Sequence, residues 1–229
     1  MKLKHITFTG VDEYTDIEEL CRIQKEYPLS EFGVLLTDSW EGNGYRYADP
    51  KQLLPTLADK GLNLSCHLCG KIARDAVLNN FSPTLDLCGD YFRIFKRCQL
   101  NVSKNKKNPD RLDLDIPDTL DEVIVQQHSA DDCGLYLASL PNDKLSVLLD
   151  ASGGRGVDTD IQVLDSPLKV GYAGGISPDN VIDKVRCLEG HDEVRSYWID
   201  METHVRTGNK LDLDKVRSVL SSVYSYLNI

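Results

Sequence analysis

Short apolar segments rich in β-branched residues alternate along this chain with segments of helical periodicity, from the third residue almost to the last. No linker rich in Pro, Gly or Ser interrupts the alternation, so it predicts one (β/α)8 barrel, a TIM barrel, as a single domain over residues 1–229. The predicted strands are Leu3–Thr9, Phe32–Thr37, Leu62–Leu68, Ile94–Val102, Glu122–Gln127, Ser146–Asp150, Lys169–Tyr172 and Ser196–Met201. The predicted helices are Asp16–Glu26, Pro50–Lys60, Lys71–Leu78, Asp131–Leu140, Pro178–Leu188 and Leu213–Tyr226.

The net charge of the chain disfavours some kinds of binding partner. A formal net charge of −10 disfavours nonspecific attraction to nucleic acid or to an anionic membrane, because those surfaces are themselves negative. No apolar run approaches the roughly 18 residues that a membrane span needs, and the first residues lack the apolar core of a signal peptide. Seven cysteines, an odd number, fit reduced core thiols better than a disulfide framework. We therefore expect a cytoplasmic protein whose partner is a small molecule, with neither nucleic acid nor membrane involved.

Alternation along the strands predicts which side chains face the barrel lumen, because neighbouring residues of a strand point to opposite faces. Along strand three the leucines are expected to face the helices, which leaves Asn63, Ser65, His67 and Cys69 inward. Gln99 and Asn101 are expected on the lumen side of strand four. Polar lumen residues near the carboxyl ends of strands are where barrel enzymes place their chemistry.

Two glycine-rich segments follow the sixth and seventh predicted strands. The first, LLDASGGRG at residues 148–156, contains Gly153, Gly154 and Gly156; the second, GYAGGISPDNV at residues 171–181, contains Gly174 and Gly175. Glycines let backbone amides approach an anion closely, and a helix N-terminus adds a favourable dipole. The alternative is that both pairs form ordinary tight turns. Two such pairs at successive strand ends favour anion binding, with Arg155 as a supporting charge.

These two segments, in this order and at about this spacing, resemble the sixth and seventh strand ends of phosphoribosylanthranilate isomerase. The sequence YRYADP at residues 45–50 is similar to the family's loop in which an arginine binds the anthranilate carboxylate, and Ile199–Met201 is similar to its eighth strand. The resemblance implies phosphate binding on the two glycine loops. It also implies a carboxylate-binding role for Arg46, substrate contact for Asp200 and a general-acid role for Asp150.

The chain departs from that family at two positions that carry chemistry. Where the family opens with a Cys-Gly pair whose cysteine is the general base, this chain has Thr9-Gly10, and a hydroxyl is far too weakly acidic to replace a thiolate. After strand eight, the family's Ser-Ser-Gly is replaced by Glu202-Thr203-His204, which puts a carboxylate near the expected phosphate. Either Arg155 and Arg206 neutralise Glu202 or the ligand differs there. We expect a divergent isomerase-like branch.

Each candidate residue also has a structural interpretation. Asp150 could cap its own loop by accepting backbone N–H groups, and Asp200 could form a buried ion pair with Arg206 or Arg155. His67 could be an acid, a base or a metal ligand, or a lumen histidine satisfied by Ser65 or Gln99. Arg46 and Arg74 could be solvated surface arginines, although arginine is suited to bidentate binding of carboxylate or phosphate.

Metal binding is disfavoured. Cys66 and Cys69 form a single Cys-x-x-Cys without a second pair to complete a zinc site, and strand alternation turns the two thiols to opposite faces. Asp38, Glu202 and His67 lack recognisable ligand spacing for a divalent ion.

The sequence therefore favours an isomerase or lyase that acts by acid–base catalysis on a phosphorylated, ribose-derived small molecule and needs no cofactor. Asp150 would donate a proton and Asp200 or His67 would remove one. The substrate-binding candidates are Arg46, Gly153, Gly154, Arg155, Gly156, Gly174, Gly175, Arg74, Gln99, Asn101, Glu202 and Arg206. The alternative, which loss of the cysteine base favours, is a non-catalytic protein that senses or sequesters a nucleotide-like metabolite.

Overall fold

Eight parallel strands pair in chain order and close into a barrel, because the eighth strand also pairs with the first. The computed structural model describes residues 1–42, 46–101, 114–131, 144–165 and 169–229. The strands are β1 (Leu3–Thr9), β2 (Ser30–Leu36), β3 (Leu64–Leu68), β4 (Arg97–Leu100), β5 (Glu122–Gln127), β6 (Leu145–Asp150), β7 (Val170–Ala173) and β8 (Tyr197–Met201). The predicted (β/α)8 barrel is confirmed.

The described helices lie outside the strands and begin where the sequence provides helix starts. Asp16 accepts a hydrogen bond from the backbone N–H of Glu19, and Asp49 precedes a proline at the first position of its helix. None of the described helices is long and apolar enough to cross a membrane. The helices are α1 (Ile17–Glu26), α2 (Pro50–Leu57), α3 (Gly70–Val77), α4 (Ser82–Cys88), α5 (Val181–Gly190) and α6 (Leu213–Leu227).

Several predicted boundaries were wrong. Strand four was predicted over Ile94–Val102 but spans only Arg97–Leu100, because a 3-10 helix occupies Gly89–Ile94. That 3-10 helix and α4 had not been predicted. The helix predicted from Pro178 begins at Val181. The helix predicted over Asp131–Leu140 lies, apart from Asp131, outside the described residues.

The barrel interior is layered, and its lower layers are filled with side chains. At the amino end of the strands, buried Arg97 donates to Glu31 and to Glu122, with N–O distances of 2.8 Å and 2.5 Å. Its guanidinium carbon lies 4.4 Å from the ring centroid of Trp198. Trp198 packs with Ile124 and Leu148 as the middle layer. Because these layers fill the lower part of the barrel, the polar lumen side chains above them face the carboxyl ends of the strands.

Candidate active site

A cavity of about 460 Å³ opens at the carboxyl ends of the strands. This volume lies within the usual range of small-molecule sites. The cavity is lined by every predicted site residue except Arg155 and Arg206. Strand alternation therefore predicted the lumen side correctly for His67, Gln99 and Asn101.

Asp200 lies in the floor of the cavity and is 8% exposed. Its Oδ1 accepts a hydrogen bond of 2.8 Å from Thr9 Oγ1, and its Oδ2 lies 3.4 Å from Gln99 Nε2. Burial raises the pKa of Asp200 to about 7, against the lowering effect of the Thr9 hydrogen bond. A carboxyl group with such a pKa populates both protonation states near neutral pH, which suits it to proton transfer. The structural alternative for Asp200, an ion pair with Arg206 or Arg155, is not formed: no salt bridge joins these described residues.

His67 lies beside Asp200 but is neutral. Burial lowers its pKa to about 4, so its 3.9 Å separation from Asp200 Oδ2 is not an ion pair at neutral pH. Nδ1 lies 3.2 Å from the donor Gln99 Nε2, and Nε2 lies 3.1 Å from Ser65 Oγ. These contacts fit the tautomer with a proton on Nε2. They are the partners that the structural interpretation of this histidine expected.

Thr9 and Gly33, on the neighbouring strands β1 and β2, determine how Asp200 and His67 fit in the cavity floor. Thr9, at the position of the family's cysteine base, directs its hydroxyl toward Asp200. Gly33 on β2 stands where a β-carbon would come within 2.6 Å of Thr9 Oγ1 and 2.9 Å of His67 Nε2. A side chain at residue 33 would therefore displace His67 or Thr9.

Asp150 lines the cavity, and both of its carboxylate oxygens are already occupied. Oδ1 accepts from the backbone N–H and hydroxyl of Ser152, at 3.1 Å and 2.6 Å. Oδ2 accepts from Gln126 Nε2 at 2.7 Å and from the backbone N–H of Gly154 at 2.6 Å. These four bonds fill the acceptor sites of an ionised carboxylate. They match the loop-capping alternative; the general-acid role of Asp150 stays a prediction.

The glycine loops border the cavity, but part of their backbone is used internally. The backbone N–H of Gly153 donates to the carbonyl oxygen of Asp150, and that of Gly154 to the Asp150 side chain. Gly174 and Gly175 have φ values of +113° and +68°, a region that favours glycine. Because α5 begins only at Val181, its first turn lies beyond Ile176, the last residue of this loop that lines the cavity.

A carboxylate–arginine pair stands across one side of the mouth. Arg46 donates from Nε to Glu202 Oε1 and from Nη2 to Oε2, both at 3.1 Å. Arg206 Nη2 lies 3.8 Å from Oε1. Of the two arginines that one alternative expected beside Glu202, Arg206 is near it, whereas Arg155 donates from Nε to the carbonyl oxygen of Ser152. The pairing with Arg46 was not expected, because Arg46 and Glu202 are 156 positions apart and barrel closure brings them together.

Other cavity residues were missed, although strand alternation contains their signal. Gln126 and His128 occupy alternate positions of β5 and its carboxyl end, and both line the cavity. Ser152, Thr203 and His204 also contribute, from the loops that follow β6 and β8.

The thiols follow the predicted alternation. Cys69 lines the cavity, whereas Cys66 packs in the apolar core. Within the described ranges, no group of three His, Cys, Asp or Glu side chains is arranged to hold a metal ion.

The fold and the site together define a (β/α)8 barrel with a polar, glycine-bordered mouth, the class in which small-molecule enzymes are common. Residues 111–222, just under half of the chain, match the family model described as N-(5′-phosphoribosyl)anthranilate (PRA) isomerase. The predicted resemblance to this family is confirmed over these residues.

Solved structures support the same fold. Phosphoribosylanthranilate isomerase from Thermococcus kodakaraensis is 14% identical with a TM-score of 0.56, over 96% of this chain and 99% of that one. The Pyrococcus furiosus enzyme is 16% identical with a TM-score of 0.57, over 98% and 99%. A truncated 3-deoxy-D-arabino-heptulosonate 7-phosphate synthase from Thermotoga maritima is 13% identical with a TM-score of 0.54, over 98% and 87%. No curated protein matches the chain in sequence.

Proposed function

We propose that this protein is an isomerase-like enzyme that rearranges a phosphorylated, N-linked ribose derivative by acid–base catalysis. The observation that carries the proposal is Asp200, a buried carboxyl group in the cavity floor whose pKa is raised by burial to about 7. The family match over residues 111–222 supports a phosphoribosyl substrate. The excess of acidic residues supports a small-molecule partner rather than nucleic acid, and the free cysteines of the described ranges support a cytoplasmic location.

The reaction class needs a proton donor and a proton acceptor. Opening the ribosyl ring requires a proton delivered to the ring oxygen, and rearrangement of the opened imine requires removal of the proton on C2. The enol that results becomes a ketose when its hydroxyl proton is lost and C1 gains a proton. In the proposal, Asp200 removes the C2 proton as a carboxylate, held in place by the hydroxyl of Thr9. His67 stays neutral and fixes Gln99, whose amide also faces Asp200. Asp150 acts as the acid only if ligand binding releases one of its four hydrogen bonds.

The phosphate is proposed to lie by Gly174 and Gly175, where both loops border the cavity. The backbone amides of Gly153 and Gly154 already donate to Asp150, so they are poorer candidates. Backbone amides at positive-φ glycines form concave anion sites without a side chain in the way.

The alternative function is a non-catalytic protein that binds a phosphorylated metabolite. Two observations favour it: a threonine stands at residue 9, and the four hydrogen bonds on Asp150 compete with a role as proton donor. Binding alone does not separate the two functions, because both require the anion site. Turnover does.

The test is calorimetric titration at pH 8 with ribose 5-phosphate, inorganic phosphate and unphosphorylated ribose. We expect ribose 5-phosphate and phosphate to bind and ribose not to bind. Gly174→Ala should weaken phosphate binding at least tenfold, because its β-carbon would come within 2.6 Å of Thr159 Oγ1 at a strained φ. Gly61→Ala is the matched control, since Gly61 has a φ of +65° and open space around it. Absence of binding by every phosphorylated compound at millimolar concentration would refute the anion site and the proposed function.

A further inference from the structure

The Arg46–Glu202 pair determines what kind of group can occupy that side of the mouth. Arg46 uses Nε and Nη2, the edge of the guanidinium that binds carboxylates in a bidentate manner, and Glu202 fills it with both oxygens. Both residues line the cavity. The protein's own carboxylate therefore takes the place that an anionic group of a ligand would need.

Arg206 helps to hold Glu202 in position. Its Nη1 donates to the carbonyl oxygen of Asn209 at 2.7 Å, which anchors the guanidinium, and its Nη2 lies 3.8 Å from Glu202 Oε1. The guanidinium packs against Gly10, where a β-carbon would overlap it. Glu202 thus stands between two arginines, one of which is fixed by the backbone.

We propose that Glu202 is a specificity-determining residue that excludes carboxylates from this side of the mouth. The ligand class is then a phosphorylated ribose derivative whose nitrogen substituent is uncharged or cationic. This inference rests on the proposed function, because it takes the phosphate end of the ligand as given.

Charge and shape support the assignment. A ligand carboxylate directed at Arg46 would either lie against the carboxylate of Glu202 or displace it, and like charges at such short range disfavour binding. An uncharged ring meets no such opposition. The ring of Tyr47 lies beside this pair, with the Arg46 guanidinium carbon 5.8 Å from its centroid, and offers an aromatic surface to a planar substituent.

The test uses two ligands that differ only in the carboxylate: 1-phenylamino-1-deoxyribitol 5-phosphate and its 2-carboxyphenyl counterpart. Their dissociation constants are measured by calorimetry for the wild type, Glu202→Gln and Glu193→Gln. Glu193 is an exposed glutamate in the loop before β8, at the opposite end of the barrel, so Glu193→Gln is a control for the loss of one negative charge.

We expect the wild type to bind the phenyl compound at least tenfold more tightly than the carboxyphenyl compound. In Glu202→Gln, affinity for the carboxyphenyl compound should rise at least tenfold relative to affinity for the phenyl compound; Glu193→Gln should match the wild type. Equal or tighter binding of the carboxyphenyl compound by the wild type, or no gain in Glu202→Gln, would overturn the inference and leave the proposed function standing. Failure of the wild type to bind either compound or inorganic phosphate would overturn both.

Discussion

Replacing Asp200 by asparagine tests whether burial in the cavity floor raises the pKa of the Asp200 carboxyl group. Asparagine keeps the shape and an oxygen to accept from Thr9, but it cannot ionise. The pKa of Asp200 rises from 3.8 to about 7 on folding, so ionised Asp200 destabilises the folded wild type above pH 7. A shift of about 3 units corresponds to roughly 4 kcal/mol at about 1.4 kcal/mol per unit.

The sign follows from proton binding. Because the folded-state pKa lies above the unfolded one, the wild type loses stability as pH rises from about 4 to about 7, and Asp200→Asn does not incur this loss. Between pH 5 and pH 8 the stability of Asp200→Asn relative to wild type should therefore increase by roughly 3 kcal/mol.

Urea unfolding at pH 5 and pH 8 measures this difference. Asp183→Asn serves as the control for the loss of one carboxylate, because Asp183 is exposed on α5 and paired with Arg186. A relative stability of Asp200→Asn that stays constant to within about 0.5 kcal/mol would refute the reasoning, because it would mean that Asp200 titrates as in water.

Two further substitutions test the packing that supports the site. Arg97→Met should lower the free energy of unfolding by about 3–5 kcal/mol in urea denaturation, because it leaves the buried carboxylates of Glu31 and Glu122 without this partner; a loss below 1 kcal/mol would contradict the ion-pair account. Gly175→Ala should cost about 2 kcal/mol more than Gly61→Ala, since both residues have positive φ but only at residue 175 would the β-carbon collide with the backbone of the preceding loop. Equal losses in the two alanine variants would refute that collision.

The sequence predicted the barrel because strand-like segments recur eight times, and six of them are followed by a helical pattern. It failed where apolar residues belong to a different element: Ile94 and Phe95, predicted in strand four, lie in a 3-10 helix and at its C-terminal end. Periodicity cannot separate the two for so short a run.

The candidate site was predicted in part for a similar reason. Lumen-facing positions such as His67 and Gln99 follow from alternation, and the glycine loops from their motifs. The pairing of Arg46 with Glu202 and the four hydrogen bonds of Asp150 depend on strand order and loop closure, which no local pattern contains. The pKa of Asp200 depends on burial, and burial is a property of the folded barrel.

In the proposed function, the cavity isomerises a phosphorylated, N-linked ribose derivative with Asp200 as the base. Carbon NMR can follow this reaction, with phosphoribosylamines prepared from aryl amines that carry or lack a carboxylate and from ribose 5-phosphate labelled with carbon-13 at C2. We predict that the wild type converts at least one of them to a ketose, seen as a labelled ketone carbon, and that Asp200→Asn binds the same compound but converts it at least a hundredfold more slowly. Binding by the wild type with no conversion above the spontaneous rate for any of these compounds would contradict the claim and leave the protein as a binder.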